Sequence, residues 1–301
     1  MDTVHVPVLL HEIGEAFGQL KGKKVALVYL DGTLGGAGHA LAIAKAFDGT
    51  LTVIGLDRDP QAIERAQGTL NGKAARLILA NEDYRNLDTV LETNQIAGVD
   101  MILLDLGISS DELDNSGRGF TFQKDEPLYM TMGDPASYPF TAKDIVNRWA
   151  EEDIANVIFG YGEERYARRI AKALIAYREK KLVETSGELA EIVKSSVPVF
   201  YRRSKLHPAT KTFQALRIAV NDELNALKEG LSKGYARLNQ GGRMAVISFH
   251  SLEDRIVKDF YKEKAQEGAL ILTKKPLTAI DQEKAENPRS RSAKLRIIQK
   301  Q

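Results

Sequence analysis

Acids and small residues gather at a few points of the chain, and their spacing suggests chemistry. Asp31 is followed by Gly32, Gly35, Gly36 and Gly38, and Asp57 and Asp105 each close an apolar run. Ser248, His250 and Ser251 follow a third such run. Glycines lack a Cβ, so they reach positive φ and let backbone approach a ligand, while the free N–H groups that open a helix offer hydrogen bonds. The dinucleotide fingerprint G-x-G-x-x-G does not fit, because counting from Gly36 and Gly38 its third position is Leu41.

An acid just ahead of the glycines repels a pyrophosphate but receives a cationic amino group. A carboxylate such as Asp57 at a second strand end suits the paired hydroxyls of an adenosine ribose. An amine and a sulfonium without phosphate describe S-adenosyl-L-methionine; a glycine turn in another kind of α/β enzyme is the alternative. Methyl transfer needs a positioned acceptor rather than a nucleophile on the protein. An aromatic amine acceptor gains from groups that hold its hydrogen, for which Asp105 and Ser109 are candidates. His250 is either a base or a hydrogen-bonding wall. His11-Glu12 lacks the second histidine of a zinc motif, since Glu15 stands there, so no metal is expected.

These residues need a sheet to bring them together. The runs ending at Leu30, Leu56, Ala80 and Leu104 read as four parallel strands, the first buried on both faces, with helices at His39–Phe47 and Pro60–Leu70 between them. Tyr84, just past the third strand, can lie against an adenine or serve ordinary packing. The next strand is Arg243–Phe249, and the span before it far exceeds what a crossover requires, so most of it is an insertion. Helical spacing within the insertion predicts helices over Asp144–Phe159, Tyr166–Tyr177 and Gly187–Val197. A long helix is expected from Thr210 to about Leu238, strands at Ala269–Thr273 and Lys294–Ile298, and a loop over Leu277–Ser292. The expected division is a core in residues 1–115 and 208–301 around a mainly helical domain in 116–207.

The chain has 301 residues, 43% of them apolar, with no cysteine and a net charge of +1. Absent thiols exclude disulfides and Cys-ligated metals, and the apolar runs are too short to span a membrane, so a cytoplasmic protein is expected. Two stretches, Ile192–Asn221 and Asn287–Gln301, are basic and free of acids. Either they contact phosphates or acids folded nearby balance them.

Several motifs together resemble the ribosomal RNA small subunit methyltransferase H family: Asp31-Gly-Thr-Leu-Gly-Gly-Ala-Gly-His39, Asp57-Arg-Asp-Pro, Leu104-Asp-Leu-Gly-Ile-Ser-Ser110, His207-Pro-Ala-Thr-Lys-Thr-Phe-Gln-Ala-Leu-Arg217 and Ser248-Phe-His-Ser-Leu-Glu-Asp-Arg-Ile-Val-Lys258. The resemblance runs nearly end to end. It implies a Rossmann-like class I S-adenosylmethionine-dependent methyltransferase sheet with an inserted helical domain. It also implies methylation of N4 of a cytidine in the decoding region of 16S ribosomal RNA within the small ribosomal subunit, with a homodimer possible. By motif position, cofactor contacts fall on Ala37, Gly38, His39, Asp57, Tyr84, Asp105 and Glu112. The RNA-facing set is Arg202, Arg203, His207, Thr210, Arg217, Ser248, His250, Arg289 and Arg291. Departures from the family pattern are Tyr129 for an acid, Thr131 for a base, Ala37 for glycine and Glu112 for Gln. An amino-methyltransferase of DNA is disfavoured, since Leu106-Gly107 replaces its prolines. A catalytically silent cofactor- or RNA-binding assembly factor is the alternative from another class.

Overall fold

In the computed structural model, which describes residues 7–22, 26–108, 113 and 116–301, the apolar runs pair into one seven-stranded sheet. Its strands are β1 (Val28–Asp31), β2 (Thr52–Asp57), β3 (Arg76–Asn81), β4 (Val99–Asp105), β5 (Leu238–Ser248), β6 (Leu270–Ile271) and β7 (Lys294–Gln299). They lie in the order β3-β2-β1-β4-β5-β7-β6. The first five are parallel, and β7 runs antiparallel to both its neighbours. This is a Rossmann-like sheet of the kind the resemblance implies.

Side-chain alternation builds a core on each face. Tyr29, Met101, Leu103, Ala245, Ile247, Leu295 and Ile297 point to one side, where Phe17, Ile43 and Phe47 cover them. Leu30, Ile54, Leu56, Ile102, Leu104, Met244 and Val246 point to the other, under Leu87, Leu231, Val257 and Tyr261. Strand order reverses direction at β1, whose neighbours are β2 and β4, and such a switch point opens a crevice at the carboxyl ends. Register sets the acids there: Asp31 pairs with Gly55 and with Leu103, so Asp57 and Asp105 stand two residues beyond it, one on each side.

The chain forms two compact units, Met1–Gly107 with Leu224–Gln301, and Ile108–Glu223. Residues 108–115 and 208–223, expected with the sheet, therefore fall in the helical unit. The reason for the second stretch is packing: Phe213, Leu216 and Val220 of helix Thr210–Asn221 enter the same core as Ile145, Ile158, Ile170, Leu174 and Leu189.

Other boundaries move for local reasons. The helix expected over Asp144–Phe159 is two, Ala142–Arg148 and Glu151–Gly162, parted where Trp149 and Ala150 are extended and the Trp149 ring meets the edge of Phe140. The long helix breaks at Asp222, whose φ of 50° ends Thr210–Asn221 before Glu223–Arg237 begins. β5 starts at Leu238, not Arg243, because Leu238 pairs with Val99 and Asn239 donates to the Asp100 carboxylate at 2.9 Å. The expected loop at Leu277–Ser292 holds helix Asp281–Glu286 and a turn of 3-10 helix, Pro288–Ser292. The Glu283 carboxylate, accepting from Leu9 N at 2.8 Å, pins that helix across the sequence. Among the described residues no helix is long and apolar enough to cross a membrane.

Candidate functional site

β1 ends at Asp31, and the chain turns tightly before helix Gly38–Ala46. Glycine is required at two places for room: a Cβ on Gly32 would lie 2.5 Å from the Leu104 side chain, and one on Gly38 2.5 Å from the Pro7 ring. Ala37 caps the helix with φ 59° and ψ 20°, fully buried. That left-handed conformation costs an alanine about 1 kcal/mol, a cost glycine would not carry.

The three acids are held differently. Asp57 accepts the Gly35 amide at 2.7 Å and the Asp59 amide at 2.9 Å, one on each oxygen, which fixes its carboxylate against the glycine turn. Asp31 accepts the Tyr29 hydroxyl at 2.9 Å and the Thr33 amide at 3.2 Å. Tyr29 and Asp31 are two apart in a strand and so share a face. The backbone of Asp105 is fixed by donation to Thr33 Oγ1 at 2.6 Å, but its carboxylate Oδ1 is buried with no hydrogen-bond partner. Its Oδ2 stands 3.7 Å from His39 Nδ1. His39 Nε2 lies 2.9 Å from the Val8 carbonyl, which can only accept, so the proton of a neutral ring sits on Nε2 and Nδ1 turns a lone pair toward Asp105.

Burial is the main cause of the electrostatics. It raises Asp31 to about 6, against the opposing pull of His39 and two hydrogen bonds, and Asp105 to about 7, against Arg289. Glu253 adds to the rise at Asp105, burial also raises Asp57, and burial lowers His39 despite Asp31. A row of desolvated carboxylates gains by receiving a positive ligand and loses by receiving a negative one. The donor set fits an ammonium and a sulfonium, with Asp57 suited to ribose hydroxyls and the unpartnered Asp105 Oδ1 to an N–H. Nothing in it fits a diphosphate.

The remaining expected residues divide. The half-buried Tyr84 ring rests on Gly230, where an added Cβ would come within 2.5 Å of its Cδ2, so one side of the ring packs on helix Glu223–Arg237. Ser248 is buried, its hydroxyl 3.4 Å from the Lys294 carbonyl. His250 caps helix Ser251–Gln266: its Nδ1 accepts from Glu253 N at 3.4 Å while Glu253 accepts the Phe249 amide at 2.8 Å. A neutral ring whose Nδ1 is an acceptor carries its proton on Nε2, which is buried here without a hydrogen-bond partner. Ser109 and Glu112 lie outside the described residues.

In the helical unit, Arg203 is exposed, and Arg202, also exposed, donates to the carbonyls of Val197 and Ser195 at 3.0 and 2.8 Å. His207 stacks on Phe122 with centroids 4.4 Å apart, accepts from Ala209 N through Nδ1, and is held below its ordinary pKa by burial and Lys194. Thr210 opens helix Thr210–Asn221, half-buried. Arg217 departs from the expected RNA-facing role: it forms a two-pronged pair with Glu223 at 2.8 and 2.9 Å, both largely buried. The acid that balances it lies two positions past the acid-free stretch. Thr131 is fully buried and donates to the Gly133 carbonyl at 3.0 Å, whereas Tyr129 is exposed. In the sheet unit, Arg289 lies close enough to pull the Asp105 pKa down, and exposed Arg291 donates to the Lys284 carbonyl at 3.2 Å. Sequence reasoning missed the Tyr29 phenol and Glu253. The two-residue spacing from Asp31 was a signal for the first; a capping partner three residues after His250 was one for the second.

Comparison with known proteins places this geometry. The model of the MraW methylase family matches residues 2–301. A protein from Persephonella marina named ribosomal RNA small subunit methyltransferase H is 45% identical, over 98% of this chain and 99% of that one. Proteins of the same name from Acetivibrio thermocellus and Deinococcus radiodurans are 45% and 47% identical, over 100% and 97% of this chain and 100% and 88% of theirs.

Proposed function

The chain belongs to the MraW methylase family, and we propose that it transfers a methyl group from S-adenosyl-L-methionine to N4 of a cytidine in the decoding region of 16S ribosomal RNA, within the small ribosomal subunit in the cytoplasm. The observation that carries the reading is the row of acids, buried Asp31 between half-buried Asp57 and Asp105, around a glycine turn at the switch point of the sheet. Near-full-length similarity to proteins named for small-subunit ribosomal RNA methylation supports the substrate.

The bound cofactor supplies an electrophilic methyl carbon on its sulfonium. The residues that would hold it are Ala37, Gly38 and His39 in the turn, Asp57 for ribose, Tyr84, Asp105 and Glu112. Asp57 arrives pre-aimed, since Gly35 and Asp59 already fix both its oxygens and each oxygen keeps a further lone pair. Asp105 Oδ1, unpartnered and desolvated, accepts an N–H at the edge. A cytosine amine is a weak nucleophile because its lone pair is delocalised, and an acceptor that takes its hydrogen localises that pair. His39, fixed by the Val8 carbonyl, keeps its Nδ1 lone pair turned toward Asp105 Oδ2, 3.7 Å away.

Incubation with labelled S-adenosylmethionine and unmodified small subunits, followed by nuclease mapping and mass spectrometry, tests this. Label on the amine of a decoding-region cytidine is expected; label elsewhere, or none, overturns it. The silent-factor alternative drew on Tyr129 and Thr131. Thr131 is wholly internal, so the change there is one of packing, while Tyr129 stays exposed; cofactor binding without transfer in the same assay would favour the silent factor.

A further inference from the structure

The helical unit carries an aromatic cluster at the edge of its core: Tyr166 and Tyr201 pack against that core, and Phe200 stands outside it. Phe200 is 66% exposed, and Val199 beside it 59%. Under them, Tyr166 and Tyr201 meet edge to face at 5.0 Å. The exposed Arg165 guanidinium lies 4.8 Å from the Tyr166 ring centre, 5.2 Å from that of Tyr201 and 5.8 Å from that of Phe200. The base of the cluster is rigid: fully buried Glu164 accepts the Tyr201 hydroxyl at 2.5 Å and the Tyr166 amide at 2.8 Å. A large exposed ring on so firm a footing is costly to leave in water.

Charge indicates the occupant. Helix Ala167–Arg178 starts immediately after Arg165 and Tyr166, and its first turn holds the exposed Arg168 and Arg169 and no acid. Glu164 answers the Tyr166 amide at this positive helix end from inside the fold, which leaves the exposed Arg168 and Arg169 facing outward to a further anion. The segment that carries Phe200 goes on to the exposed Arg202, Arg203 and Lys205, in a stretch without acids. Flat π-faces set among cations are what an unpaired nucleic-acid strand requires: bases stack on rings and arginines track phosphates.

We propose that Phe200, with Arg165 over Tyr166 and Tyr201, is a stacking platform for an unpaired base of the RNA substrate, its flanking phosphates met by Arg168 and Arg169. The proposal rests on the RNA-methylating reading and adds a place where the strand is gripped. Because the rings are apolar and the cations surround them, binding here is tolerant of base identity and sensitive to salt.

The test uses the full chain and a short single-stranded RNA carrying 2-aminopurine, whose fluorescence reports stacking, with cofactor affinity measured alongside as a check of folding. Phe200→Ala is expected to weaken RNA binding by about 5- to 100-fold and to abolish the fluorescence change. Phe200→Trp restores both, and Phe200→Leu, apolar but not flat, restores neither. Arg168→Ala with Arg169→Ala is expected to flatten the salt dependence while leaving the stacking signal. Unchanged binding by Phe200→Ala, or full recovery by Phe200→Leu, overturns the platform. So does a loss confined to assembled subunits with free RNA bound normally, which assigns the patch to a protein partner. Methyl transfer by the unaltered protein is read separately, so failure of the platform and failure of the proposed function are told apart.

Discussion

The carboxyl edge of the sheet and the basic face of the helical unit were equally conspicuous in sequence, yet the structure treats them differently. At the edge, side chains are placed by backbone topology: a parallel sheet with its switch at β1 has to bring Asp31, Asp57 and Asp105 together whatever else the chain does. On the helical unit, position says little, because a long cation can reach any of several partners. Arg217 turns to Glu223, Arg202 to two carbonyls that end helix Ser186–Ser196, and Arg165 to a set of rings. Chemistry that rides on strand ends is legible from spacing; chemistry that rides on flexible cations is decided by packing partners that spacing does not show.

Removing one member of the Arg217 pair tests the contrast most severely. Arg217→Ala leaves a largely buried carboxylate uncompensated and is expected to destabilise the fold by about 3 kcal/mol in urea unfolding. The salt slope of RNA binding should stay as it was; a flatter slope with normal stability would return Arg217 to the RNA-facing set.

Next in size, Asp57→Ala is expected to weaken S-adenosylmethionine binding by about 2 kcal/mol in calorimetry, since the proposed ribose contact and the anchor of the Gly35 and Asp59 amides go together. RNA affinity should hold. Equal losses on both ligands would blur the division between the two regions.

The acids also give a dependence on pH. Asp31 at about 6 and Asp105 at about 7 sit above the ordinary carboxylate range, so the fold favours their protonated forms. Their contribution to stability is complete below about pH 4 and declines as pH rises through the folded values. A cation selects the ionised forms, so cofactor affinity should rise about tenfold between roughly pH 5.5 and 8 while the ligand-free protein loses stability. A flat affinity profile would mean that neither acid meets positive charge.

The smallest effect is expected at Ala37, where glycine relieves the positive φ but loosens the unfolded chain. Ala37→Gly should raise stability by about 0.5 kcal/mol in thermal unfolding. A loss of stability instead would mean that the buried methyl contributes more through packing than its conformation costs.

Much of the fold was legible because it depends on local pattern. The parallel strands fell close to their apolar runs, and Pro60–Leu70 formed the expected helix, opened by Asp59 accepting the Gln61 amide. What escaped has a shared physical cause. Asp222 carries no glycine signal, yet its left-handed backbone divides one helix into two. β5 begins ahead of the expected Arg243, with its register on β4 shifted between Val99 and Met101 and the amide of Gly241, at φ 75°, on the Lys300 carbonyl. Helix Asp281–Glu286 depends on Leu9, far away in sequence. At the site the acids and glycines were readable; the Tyr29 phenol on Asp31 and the capping role of His250 rest on partners only two and three residues away, a local signal easily passed over beside the acids.

The contact between Pro7 and Gly38 reaches further than its size suggests. Three successive residues tie that stretch down: the Pro7 ring fills the space a side chain at 38 would need, the Val8 carbonyl holds His39, and Leu9 N reaches Glu283. Proteolytic nicking here, or a bulky fusion joined close ahead, would slacken the cofactor turn without touching any residue that meets a ligand. A preparation trimmed at this point should show a lowered methyl-donor affinity with every proposed contact residue intact.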